Sequence, residues 1–171
     1  KIVSHKVIDV SRYQNSIDFA KVKSAGVDYA MLRCGYRSYG EGILTEDTSF
    51  NTNAAEAIKN NIKIGAYFFS QAINTTEARE EADYVINMVK PYQINGPIAI
   101  DIEEIFDDTY RQMHLTPAQL TDVIITFCDR IKEAGYTPMI YSNLSSFIGN
   151  VELERLENYE KWFAYYSDEP Y

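Results

Sequence analysis

The chain has 171 residues, 46% of them hydrophobic and 24% charged, with a net charge of −9 at pH 7. This length suits one domain that buries roughly 70% of the surface of its extended chain, and the composition excludes a disordered body. The acidic balance, without a basic stripe, excludes nucleic acid and anionic membrane surfaces as partners, and the longest apolar runs are far shorter than a spanning helix.

In chain order, short β-type runs alternate with amphipathic helical stretches. Val7–Val10 is the first expected strand, followed by a turn at Gln14 and Asn15 and a short helix over 17–25 that Gly26 ends. A second strand is expected over 29–34 (YAMLRC), then a loop over 35–46 that holds three glycines. Asp47 is the expected cap of a helix whose apolar face runs Phe50, Ala54, Ala57 and Ile58. A third strand covers 63–70 (KIGAYFFS). After Asn74, with Glu77 three residues on, Ala78, Ala82, Val85 and Val89 mark a helix that Pro91 stops.

The fourth strand is 97–103 (PIAIDIE). Thr116 with Gln119 spells a capping box, with Pro117 at the first helical position. Leu120, Val123, Phe127 and Ile131 form that helix's buried stripe, and Gly135 is its stop. Strands over 137–142 (TPMIYS) and 162–166 (WFAYY) complete the series. Strand and helix alternating through short links imply an α/β fold with parallel strands, either an open doubly wound sheet or a β/α barrel. No GxGxxG or GxxxxGK follows a strand, which weighs against a nucleotide-binding sheet. Cys34 and Cys128, the only cysteines, form neither a metal motif nor a disulfide framework and read as small buried hydrophobes, with a single bridge between them as the alternative.

The sharpest chemical feature is PIAIDIEE. Side chains alternate along a strand, so Asp101 and Glu103 share a face, with Cα atoms roughly 6.5 Å apart. Two carboxylates at the C-terminal end of an apolar strand raise each other's pKa, and one becomes available as a general acid near neutral pH. Asp9, in VIDVS at the end of the first strand, adds a third acid. Three acids at strand ends suit glycoside hydrolysis. The same trio also suits a hard-cation site, and 101–108 also reads as the start of a solvated acidic loop. His5 and His114 lie away from the motifs, and no nucleophile elbow supports a serine triad. The 14 Tyr, 8 Phe and 1 Trp, 13% of residues, either line a sugar groove or fill a Tyr-rich core.

The segment VIDVSRYQNSIDFAKVKSAGVDYAMLRCGY resembles the opening of the family-25 glycoside hydrolases, the N-acetylmuramidase lysozymes. The likeness continues through DTSFNTNAAEAIKNNIKIGAYFFS, PIAIDIE, TPMIYSN and WFAYY, in order and over nearly the whole chain. It implies an irregular TIM-like β/α barrel of eight strands with fewer than eight helices, and cleavage of the bond between N-acetylmuramic acid and N-acetylglucosamine in peptidoglycan. By motif, Asp9, Asp101 and Glu103 are the implied catalytic acids, Glu103 being the proton donor. Arg33, Tyr67, Phe69, Tyr141, Trp162 and Tyr166 are the implied substrate-binding residues; for Arg33, a buried ion pair that orients an aspartate is the alternative role.

No metal or cofactor is implied. The implied partner is the peptidoglycan glycan strand, met by a monomer that is secreted or delivered to the wall. No charged-then-apolar leader opens the sequence, although a leader removed on maturation leaves the same start. Asn15 stands where the family usually has Gly, and Phe68 where His is common. The residues read as one catalytic domain over 1–171 with six strands, so the family's last strands are expected beyond Tyr171. The rival readings are a barrel that binds wall glycan without cutting it, a hydrolase of another aminosugar polymer such as chitin, and, more distantly, a metal-dependent deacetylase or phosphodiesterase.

Overall fold

The computed structural model describes residues 7–14, 16–105 and 107–164. Six parallel strands lie side by side: β1 (Val7–Val10), β2 (Tyr29–Arg37), β4 (Lys63–Phe69), β5 (Ile98–Ile102), β6 (Pro138–Asn143) and β7 (Glu160–Ala164). A short strand, β3 (Leu44–Glu46), folds back antiparallel onto β2. The helices are α1 (Phe19–Ser24), α2 (Phe50–Lys59), α3 (Thr75–Val89), α4 (Pro117–Glu133) and α5 (Leu144–Asn150).

The strand order decides between the two candidate architectures. A doubly wound sheet reverses direction at a switch point, whereas a chain that adds each new strand on the same side builds a barrel wall. Here the parallel strands follow one another without reversal. The fold is a partial TIM-like β/α barrel, with five α-helices among the described residues.

Alternation along the strands separates two faces. Leu32, Ile64, Ala66, Phe68, Ile98, Ile100 and Ile140 are buried against the helices, where Phe50, Val85, Val123 and Phe127 meet them. Met31, Ala99 and Tyr141 point to the opposite, inner face and pack with Tyr67, Met139 and Trp162. Gly65 keeps that inner wall closed, because a Cβ there falls 2.5 Å from both Met31 Sδ and the Pro97 carbonyl oxygen.

The helix signals act as sequence chemistry dictates. Asn74 Oδ1 accepts the Glu77 N–H at 2.9 Å, and Thr116 and Gln119 close the reciprocal capping box at 2.9 and 3.2 Å. Gly135, at φ +91°, follows α4 in the left-handed conformation that releases the chain. Both cysteines are free and buried.

Several expectations are corrected. The 35–46 segment is not all loop: β2 runs on to Arg37 and β3 pairs with it, giving seven strands among the described residues rather than six. Ser49, not Asp47, is the N-cap of α2, and Ile58 is exposed while Asn53 takes the buried position. β5 ends at Ile102, so Glu103 is the first residue of the following loop. Helix α5 was not anticipated.

Candidate active site

The C-terminal ends of β1, β2, β4 and β5 converge on the acids. Asp9 pairs in register with Met31, Arg33 with Tyr67, and Phe69 with Asp101, so these side chains rise from neighbouring strands on the inner face. A bulge between Arg33 and Gly35 then breaks the alternation of β2. Arg33 faces the acids, while Arg37 turns to the helix side and contacts Glu77, Glu80 and Glu81 of α3.

Asp101 is 5% exposed, and among the described residues nothing donates to its Oδ1. Burial raises its pKa well above the ordinary carboxylate value, and the charges of Glu103 and Asp9 raise it further, against the opposing pull of Arg33. Glu103, half-buried, is raised by desolvation and then by Asp9, with Arg33 again pulling down. Asp9 keeps solvent access yet is raised by desolvation; the Tyr67 hydroxyl, which donates to it, and Arg33 moderate the shift. Asp101 and Glu103 thus both feel the charge of Asp9, and all three carboxyl groups feel that of Arg33.

That cation is anchored from outside the trio. Arg33 Nε donates to Asp47 Oδ2 at 2.8 Å, and Asp47 is fully buried. The guanidinium carbon lies 5.1 Å from the ring centroids of both Tyr13 and Tyr36. Arg33 Nη2 is buried and has no acceptor among the described residues. Arg33 thus has a buried ion pair with Asp47 and keeps one unused donor.

The aromatic candidates divide between the acids and the inner wall. Tyr67 contacts Asp9 and Tyr141, its ring centroid 6.4 Å from that of Tyr141, and Tyr141 meets Trp162 edge-on at 4.9 Å. Phe69 meets Tyr39 edge-on at 6.0 Å. Tyr166, along with His5 and Asn15, lies outside the described residues. The sequence reading missed Asp47, Tyr13, Tyr36, Tyr39 and Tyr110. Burial, and then the charge of Glu103, raises the Tyr39 phenol. Tyr110 is pushed up to about 12 by burial, then by Glu104, Tyr39 and Glu103. The available signal was tyrosines beside strand ends in otherwise polar segments, as in SRYQ and CGYRSYG.

The loop that begins at Glu103 is clamped. Arg111 Nη1 and Nη2 each reach Glu77 at 2.7 Å, Nη1 also donates to the Gln71 carbonyl at 2.9 Å, and the Arg111 N–H donates to Gln71 Oε1 at 3.0 Å. The Gly40 N–H donates to the Thr109 carbonyl at 2.9 Å. Gly42, at φ +67°, leaves room for the Arg111 guanidinium. Beneath the clamp Glu81 is pushed up to about 7 by burial, although Ser70 and Arg37 bind its Oε2.

Among the described residues no group of three or more His, Cys, Asp or Glu side chains is placed to hold a metal ion, and no helix is long and apolar enough to cross a membrane. A buried acid, a half-buried acid with raised pKa and a nearby fixed cation suit acid-catalysed cleavage of a glycosidic bond.

The family model described as glycosyl hydrolases family 25 matches residues 8–171. The autolytic lysozyme of Clostridium acetobutylicum is 25% identical over 148 residues, which is 86% of this chain and 43% of that protein. A Streptomyces globisporus lysozyme is 36% identical over 77 residues, 45% of this chain and 24% of that protein. Among solved structures, the modular autolysin LytC of Streptococcus pneumoniae superposes with a TM-score of 0.83 at 25% identity, over 96% of this chain and 38% of that one. The same autolysin with a synthetic peptidoglycan ligand matches at 24% identity with the same score and coverage. The chain thus spans less than half the length of these relatives.

Proposed function

Because the chain belongs to glycosyl hydrolases family 25, we propose that it is a peptidoglycan hydrolase that cleaves the β-1,4 bond between N-acetylmuramic acid and N-acetylglucosamine. The observation that carries this reading is the convergence of Asp9, Asp101 and Glu103 around Arg33, with the pKa of all three acids raised. Names and ligands of the relatives support the same substrate class.

In the proposed mechanism Glu103, whose pKa is raised by desolvation and then by the charge of Asp9, gives its proton to the leaving glycosidic oxygen. The oxygen of the neighbouring 2-acetamido group forms a bond to the anomeric carbon as the glycosidic bond breaks, and water later reopens that ring with retention. Asp101 Oδ1, which has no partner among the described residues, suits the acetamido N–H. Asp9, held by the Tyr67 hydroxyl, and Arg33 set the charge of the network.

The test is digestion of purified peptidoglycan by wild type and Glu103→Gln, with mass spectrometry of the reduced products. Loss of a general acid lowers the rate roughly 10²–10⁴-fold. Products with muramic acid at the reducing end, absent from the mutant digest, support both the bond and the role. Glucosamine reducing ends reassign the bond, near-normal activity of Glu103→Gln removes the role, and no cleavage by folded wild type favours a glycan-binding barrel.

A further inference from the structure

A cavity of about 450 Å³ lies between the loop that follows Glu103, α4 and α5, a size in the range of small-ligand sites. Glu104, Asp107 and Asp108 line it, and among the described residues no basic side chain does. Its walls are otherwise largely apolar, with buried Phe147 at the α5 side. Tyr110 also lines the cavity, and burial, then the charges of Glu104, Tyr39 and Glu103, raise its phenol.

Carboxylates at a loop rim are commonly just solvated, and the deciding observation is Gln112. Its side chain lines the cavity yet the residue is only 4% exposed. Its Nε2 donates to the Ala72 carbonyl at 2.9 Å, and among the described residues nothing donates to its buried Oε1. A buried acceptor without a donor is costly, and a ligand N–H is one way to satisfy it. The cavity thus combines an orphan acceptor, three negative charges and apolar walls. That combination fits a protonated primary amine on an aliphatic chain; it disfavours anions, and the apolar walls disfavour a hydroxyl-covered sugar ring.

We propose that this cavity is a subsite for the side-chain ammonium of a diamino acid in the peptide attached to the glycan. The proposal rests on the reading of the chain as a peptidoglycan hydrolase. Glu104 directly follows the proton donor proposed above, so the cavity borders the place where the glycan is cut. The peptide's methylene chain packs on the apolar wall, and its ammonium meets Gln112 Oε1 and the rim carboxylates.

The experiment compares kcat/KM on three soluble glycan oligomers: peptide-free, carrying peptide with a free side-chain amine, and carrying the same peptide N-acetylated on that amine. Wild type and the double variant Glu104→Gln/Asp108→Asn are measured, both substitutions being isosteric and at exposed positions. Wild type is expected to prefer the free amine over the acetylated peptide by about fivefold, the size given by solvated ammonium–carboxylate pairs, and to lose the preference at high salt. The double variant loses that preference and keeps the peptide-free rate. Equal wild-type rates on the two peptides, or a preference that survives the double substitution, overturn the subsite. If no oligomer is cut, the hydrolase reading fails, and titration of the free peptide followed by amide NMR decides the cavity separately. Shifts over residues 110–115 that the acetylated peptide does not reproduce support it, and their absence rejects it.

Discussion

Arg33 gives its Nε to Asp47, 2.8 Å away and fully buried, so the cation among the three acids is oriented by a fourth acid that is not one of them. Such an arrangement separates position from charge: Asp47 and the rings of Tyr13 and Tyr36 set where the guanidinium lies. Its field then lowers the pKa of Asp9, Asp101 and Glu103 against their desolvation.

Arg33→Met is therefore expected to raise all three carboxyl pKa values and carry both limbs of the pH–rate profile to higher pH, with kcat down about tenfold or more. It also takes the cation away from buried Asp47, which still accepts the Ser49 N–H at 2.9 Å, and losing one partner of a buried ion pair costs roughly 3–5 kcal/mol of stability. Adding Asp47→Asn removes that charge and recovers part of the stability without restoring the profile. Rate profiles and denaturant titrations of the two variants check this; an unmoved profile in Arg33→Met rejects the electrostatic role.

The parts of the site that could be read from sequence are those where residue type conflicts with local environment. Asp101 in an otherwise apolar strand is such a conflict, as is Asp9 in VIDV, and the structure sets both on the inner face. The buried helix stripes were legible because 3.6-residue spacing is enforced by packing: Ala78, Ala82, Val85 and Val89 are all fully buried. The bulge at Arg33 and Gly35 left no mark, because a period-2 pattern continues on paper through the extra residue. Arg37 thus went unnoticed, although it contacts three glutamates of α3. β3 is three residues long, too short for alternation to declare it. In α5 two serines and a glycine hide a helix that the burial of Phe147 supports.

Asp101 carries a stability cost with a definite sign. Its folded pKa lies above the unfolded value, so the folded state holds the proton more tightly. Its contribution is most favourable below the ordinary carboxylate range, and it is lost as pH rises through the raised folded value. Asp101→Asn removes the buried charge while keeping the shape. The variant is expected to be more stable than wild type at neutral pH, by roughly 1–2 kcal/mol, with the gain vanishing near pH 3. The same substitution takes away an acid of the proposed mechanism, so turnover falls steeply. Thermal melts from pH 3 to 8 decide the matter: a stability difference that is flat with pH means Asp101 is not held above its unfolded value.

The clamp under the Glu103 loop holds the chain that carries the proposed proton donor. Arg111 grips Glu77 with two bonds of 2.7 Å, and its side chain and that of Glu77 are 13% and 18% exposed. Burial alone pushes Glu77 upward, but the Arg111 hydrogen bonds, the Ile73 N–H and the charge of Arg37 hold it below the ordinary value. Its stabilisation is present above the unfolded carboxylate pKa and is lost as pH falls through the lower folded one. Arg111→Ala is expected to cost roughly 2–4 kcal/mol at neutral pH and less in acid. Because the loop starts at Glu103, kcat drops more than KM rises. Arg111→Lys does not rescue either effect, since an ammonium cannot reproduce a planar two-point grip that also reaches the Gln71 carbonyl. Melting curves and Michaelis–Menten analysis of the two variants on solubilised peptidoglycan test this directly: a lysine variant equal to wild type in both would reduce Arg111 to a positive charge at the surface, with no part in holding the loop.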